Sequence, residues 1–190
     1  IRRCHQAVVR VQQAGLEANT LPELGKVVRI LGDEVEDMGL GFEAVSLHLI
    51  DEGKDLLTSF HALPETRGYR SFQEAVPLQD SLDQNAPLRG LVSHWHRNKI
   101  WEREADAAFN QMIDGSSLGA LYRPDFLLDV PFEQGALSVG LSAHHAVGRE
   151  ALISVLRDIT EPMVLIIKRL AQLEAMRDQL REQQVGRDTI

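Results

Sequence analysis

The chain has 190 residues, 44% apolar and 25% charged, with a formal net charge of −8. That balance belongs to a globular chain able to bury a core, and it argues against a nucleic-acid or anionic-membrane surface, which needs clustered Lys and Arg. The longest apolar run, Met163 to Ile167, falls far short of the ~20 residues of a membrane span, and the single cysteine, Cys4, excludes an intrachain disulfide or a cysteine-rich zinc site.

No signal peptide is visible at the start. The chain opens on Ile1 rather than Met and ends in a polar segment, so both ends read as cut from a longer protein, and the single cysteine fits a reducing cytosol. Residues 1–18 predict a helix, with Ile1, Cys4, Val8, Val11 and Gly15 forming a short heptad stripe. Thr20-Leu21-Pro22-Glu23 has the form of a capping box, and Pro22 is tolerated in a first turn. The helix it opens carries Leu24, Val27, Val28, Leu31, Val35 and Met38 on one face and stops at Gly39 and Gly41.

Ala44 to Ile50 alternates as a strand, with Val45, Leu47 and Leu49 on one side and Ser46 and His48 on the other. Asp51-Glu52-Gly53 is a turn, and Leu56 to Ala62 completes a hairpin. Residues 63–84, rich in charge and carrying Pro64, Gly68 and Pro77, are expected to be irregular. Asn85-Ala86-Pro87 starts a helix with Leu88, Leu91, Val92 and Trp95 inward. A short strand is expected from Lys99 to Arg103, then a brief helix through Ala108 and Met112. Phe126 to Phe132 and Ala136 to Ser142 form a second hairpin. In its last strand Leu137, Val139 and Leu141 face one side, and Ala136, Ser138, Gly140 and Ser142 the other.

The last helix starts near Arg149. Leu152, Leu156, Ile159, Met163, Ile166, Leu170, Leu173, Arg177 and Leu180 form a heptad stripe with a single polar break. Pro162 is expected to kink or split it. The distal part reads as a coiled-coil extension, and an Arg at position 177 would weaken a helix pair there.

The order of elements predicts an α+β domain around one antiparallel sheet of five or six strands. Three segments carry a resemblance: Leu21-Pro22-Glu23-Leu24, Ala44-Val45-Ser46-Leu47-His48-Leu49-Ile50-Asp51, and Val130-Pro131-Phe132-Glu133-Gln134-Gly135-Ala136-Leu137-Ser138-Val139-Gly140. With the final helix in place, the chain resembles a GAF domain, a small-molecule sensor module of signalling proteins. The resemblance implies terminal helices on one face of the sheet and middle helices covering a pocket on the other. With the heptad stripes at both ends, three regions are expected: a dimerisation helix at 1–18, a sensor domain at 19–167 and a signalling helix at 168–190, a coiled-coil extension.

The expected ligand-binding residues are His48, Ser138 and Gly140 on the sheet, with Trp95, Trp101, Arg103 and Phe109 from the covering segments. The aromatic rings would stack on a planar ligand, and Arg103 would pair with a carboxylate or phosphate. The dimer is expected to form through Val8, Val11, Leu170, Leu173 and Leu180. No metal is expected: His94 and His96 do not share a helix face, and His144-His145 lacks a third ligand. Some members of the family carry haem, for which His48, His61 or His144 would be the candidates, and spacing singles out none. Cys4, on the first stripe, is better placed for packing than for a covalent chromophore. The cyclic-nucleotide residues of the family have no counterpart here, and its methionine-sulfoxide-reducing members need several cysteines.

No nucleotide-binding glycine loop, phosphoacceptor histidine motif or G-x-S-x-G appears. The expectation is a cytoplasmic sensory domain, most naturally from a histidine kinase, that binds a small molecule and pairs with its own copy. Catalysis would belong to a neighbouring domain. A ligand-free dimerisation spacer and a small enzyme using the same cleft are the alternatives.

Overall fold

Six strands form one open antiparallel sheet: β1 (Phe42–Asp51), β2 (Leu56–Ala62), β3 (Ser71–Pro77), β4 (Trp101–Glu104), β5 (Phe126–Phe132) and β6 (Gly135–Leu141). Their spatial order is β3-β2-β1-β6-β5-β4, so the two hairpins, β1-β2 and β5-β6, meet along β1 and β6. This is a computed structural model, and it describes residues 2–39, 41–64, 71–116, 122–142 and 148–187. Six α-helices lie among those residues: α1 (Arg2–Glu17), α2 (Leu24–Asp37), α3 (Leu78–Gln84), α4 (Ala86–His96), α5 (Ala107–Asp114) and α6 (Arg149–Arg187). None is long and apolar enough to cross a membrane.

The alternation of the strands decides which residues meet which layer. Val45, Leu47, Leu137, Val139 and Leu141 are buried on the face covered by α1, α2 and α6, in one continuous core. Each such aliphatic side chain contributes about 1.5–3 kcal/mol. The opposite face carries two smaller apolar clusters instead. One joins Leu63, Phe109, Ile113, Tyr122 and Leu127, and the other joins Ile50, Leu57, Leu88, Leu91 and Val92. The fold is α+β, with terminal helices on one face and middle helices on the other.

Local chemistry sets the helix starts. The Glu23 carboxylate accepts from the Asn19 amide at 2.5 Å and the Thr20 amide at 3.2 Å, which ties off the entry to α2. Those two bonds, with Lys26 and Arg177 nearby, hold the carboxyl below its usual range. The Asn85 side chain accepts from Leu88 N at 3.0 Å to cap α4, and Asp106 accepts from Phe109 N at 2.8 Å to cap α5.

Residues 63–84 are not irregular throughout. They contain β3 and α3. β3 is an edge strand with exposed side chains, so it lacks the apolar alternation that marks a half-buried strand, and its Pro77 stands at the strand's end. The strand expected from Lys99 begins at Trp101 instead. The Asn98 amide donates to Trp95 O and the Lys99 amide to His94 O, with Asn98 at φ 51°, so these residues close α4.

Pro162 does not split the last helix. α6 runs 39 residues through it, held on either side by Leu156, Ile159, Met163 and Ile166, all buried. Its stripe serves the chain itself further than expected. Leu170 and Val11 are each 1% exposed in the chain's own core, and Val8 packs against it. Of the five expected pairing residues, Leu180 is exposed and Leu173 half-buried. Other exposed apolar residues on these helices are Val9, Leu16, Leu165, Met176 and Val185. Arg177, expected to weaken a helix pair, donates to Asn19 O of its own chain at 3.1 Å. Arg169 donates to Gly15 O and Ala18 O. Two guanidinium groups on α6 thus satisfy carbonyls at and just beyond the C-terminal end of α1.

Candidate functional site

A row of directly opposed residues crosses the sheet on the face away from the terminal helices. It runs Phe72, His61, Ser46, Ser138, Asp129, Trp101, one residue from each strand. A neighbouring row holds Glu74, Ser59 and His48. Directly opposed residues share a face, so the register alone gathers these polar groups.

Ser46 Oγ and His61 Nδ1 share a hydrogen bond of 2.7 Å, and Ser59 Oγ and His48 Nδ1 one of 2.8 Å. The two pairs lie crosswise between β1 and β2, with the imidazole centres 5.7 Å apart. Ser138 Oγ donates to Asp129 Oδ1 at 2.5 Å, and Arg103 forms an ion pair with Asp129 Oδ2. Burial pushes His48 down to about 4, helped by the positive charge of Arg103, and pushes His61 down to about 3, helped by His48. Both rings are neutral at pH 7. Burial, then the Asp129 carboxylate, raises the Tyr122 phenol above its ordinary value.

Above these residues lies a cavity of about 230 Å³. Its walls are the two small apolar clusters: Leu57, Leu88 and Leu91 on one side, Phe109, Ile113 and Leu127 on the other. The sheet between them is polar, and this is why the two clusters do not merge. The cavity lies below the ~300–1,000 Å³ of drug-sized sites.

Four of the expected ligand residues line it: His48, Arg103, Phe109 and Ser138. Three do not. Trp95 donates Nε1–H to Phe132 O at 2.9 Å and packs against the α4 cluster. Trp101 lies under α4, stacked on His94 at 4.7 Å and beneath the Arg103 guanidinium at 3.4 Å. A Cβ at Gly90 would sit 2.1 Å from the Trp101 ring, so α4 can lie there only with glycine at that turn. Gly140 is covered by Tyr122, whose hydroxyl would be 2.5 Å from a Cβ. Arg103 is also not a free anion receptor, since Asp129 already holds it.

Ser46, Ser59, His61, Tyr122, Asp129 and Glu74 line the cavity as well. Ser46 sat in the expected strand beside His48, and His61 was a candidate only for haem. Alternation identifies the faces of β1, but the partners of β1 are fixed by register, which spacing does not give.

Two further histidines have local roles. His94 Nδ1–H donates to Gly90 O at 2.9 Å, and His96 Nε2 meets Glu52 Oε1 at 2.8 Å. Among the described residues, no three His, Cys, Asp or Glu side chains group as metal ligands. His144, His145 and the Cys4 side chain lie outside the described residues. A larger hollow of about 710 Å³ is lined by residues that include Asp114, Arg123 and Arg149. Arg123 there pairs with Asp114, and both are more than half exposed.

No protein-family model matches the chain, and no curated protein or solved structure matches it either.

Proposed function

We propose that this chain is a GAF-like sensory domain of a larger cytoplasmic signalling protein, with a histidine kinase as the parent. A small molecule occupies the cavity over β1, β2, β5 and β6. The chain pairs with a second copy through its terminal helices, and catalysis belongs to a neighbouring domain. One observation carries this reading: a cavity floored by buried, hydrogen-bonded polar groups lies on one face of a sheet whose other face is packed by a 39-residue helix. Ligand binding biases the helix arrangement by its differential affinity for two states.

A thermal-shift screen of small molecules tests the binding step. A true ligand at a hundred times its Kd adds about 2.7 kcal/mol, or roughly 5–10 °C for a chain of this length. A screen with no stabilising compound favours a ligand-free spacer. Light scattering tests pairing: a dimer at micromolar concentration should become a folded monomer when residues 171–190 are removed. A monomer before truncation sinks the dimer.

One arrangement favours an enzyme. Ser46, His61 and Glu74 fall in sequence as hydroxyl, imidazole and carboxylate, with His61 Nε2 3.8 Å from Glu74 Oε2. Against it, Ser46 sits in mid-strand between two antiparallel partners, where the ladders take up the backbone amides an oxyanion would need. Turnover of p-nitrophenyl acetate that vanishes in Ser46→Ala would favour the enzyme.

A further inference from the structure

Among the described residues lining the cavity, one buried polar atom has no hydrogen-bond partner. His61 is 7% exposed, and its Nε2 has no hydrogen bond. Glu74 Oε2, at 3.8 Å, is out of hydrogen-bond reach. The ring cannot turn to find another partner. Its Nδ1 is tied to Ser46 at 2.7 Å, and its face is stacked on Phe72 with centroids 4.7 Å apart. Buried polar groups are nearly always satisfied, so an orphan of this kind calls for a bound group.

Charge and size narrow what that group is. Among the described residues lining the cavity, Arg103 is the only Lys or Arg. Asp129 holds its guanidinium, and the Trp101 ring lies 3.4 Å away. Glu74 adds negative charge at the margin. An entering anion would lose its hydration, find no free cation among the described residues and meet a carboxylate. A dry apolar cavity of about 150 Å³ accepts benzene, so 230 Å³ accommodates one substituted ring or a small fused pair.

The geometry points to a small, uncharged aromatic ligand bearing an O–H or N–H, held by a hydrogen bond to His61 Nε2, with carboxylates and phosphates excluded. This rests on the sensory reading above and names the chemistry of its ligand. A hydroxyl suits either state of the imidazole. When Nδ1–H donates to Ser46, Nε2 accepts the ligand proton. When Ser46 donates to Nδ1, Nε2–H donates to the ligand oxygen.

Four probes of similar size test it by titration calorimetry: phenol, indole, toluene and benzoate. Phenol or indole should bind, toluene about tenfold more weakly, as expected for one lost hydrogen bond, and benzoate not measurably. His61→Phe keeps the ring volume, and should weaken phenol about tenfold while leaving toluene unchanged. Should that variant not fold, long-range ¹⁵N–¹H spectra of the native chain give the same answer, because phenol should shift His61 Nε2 far more than His61 Nδ1. Benzoate binding as tightly as phenol, or phenol binding without a shift at His61 Nε2, overturns the proposed chemistry while leaving a ligand site in place. No heat from any of the four probes overturns the proposal, and the broader thermal screen then decides separately whether the cavity is a sensory site at all.

Discussion

His48 and His61 are neutral in the folded chain because the sheet withholds water from them, and this makes stability depend on pH. In the unfolded chain both take up a proton near pH 6.5. In the fold they do so only near 4 and 3. Between those limits the unfolded state binds more protons, so stability falls as the pH drops through 6.5, and the loss levels off below the folded values. Each histidine contributes a slope approaching about 1.4 kcal/mol per pH unit. Glu34 acts in the opposite sense: burial raises its carboxyl, so its contribution is full at low pH and is lost as the pH rises. Urea midpoints at pH 7, 6 and 5 should therefore decline, and His48→Gln should remove about one proton from the slope. An unchanged slope in that variant would mean that His48 is protonated in the fold. The Arg103–Asp129 pair is the other residue-scale liability. Asp129→Asn leaves a mostly buried guanidinium unpaired and should cost about 3 kcal/mol in urea unfolding. Arg103→Met with Asp129→Leu should recover most of it, since no charge remains uncompensated.

Among the elements, α6 joins most of the molecule together. It roofs the sheet through Leu152, Leu156, Ile159 and Met163, then clasps α1 through Arg169 and Arg177. Arg177→Leu should not tighten a helix pair. It should lower stability by about 0.5–1 kcal/mol, the worth of one exposed charged hydrogen bond at a helix end, and a gain on replacement would show that position 177 faces a partner instead. The stripe on α6 was legible because its period is local, but its partner was not: Val11, Gly15 and Ala18 lie far away in sequence. The same division runs through the sheet. The alternation of Val45 to Leu49 and of Leu137 to Leu141 gives both faces of β1 and β6. β3 was hidden because an edge strand needs no apolar side, and His61 stood apart from Ser46 until the register placed them opposite each other.

In the whole molecule, a sheet one strand thick separates the cavity from the helices. A ligand touching Ser46 or His48 therefore lies one residue along the chain from Val45 and Leu47, which pack against the terminal helices. Hydrogen exchange checks this relay. Phenol should slow exchange in β1 and β2 and also in α6 between Leu152 and Met163, and protection confined to α4 and α5 would mean that nothing crosses the sheet. Two-residue periodicity has a further consequence for heredity. Ser46, His48, Ser59, His61, Asp129 and Ser138 on β1, β2, β5 and β6 line the cavity, and residues between them belong to the shared helical core. Under the proposed function, substitutions at Ser46, Ser59 or Ser138 would retune the ligand while Val45, Phe60 and Val139 stay fixed. In the proposed sensor, a lineage built on this sheet is free to change its chemical vocabulary without relearning how to pass a message on.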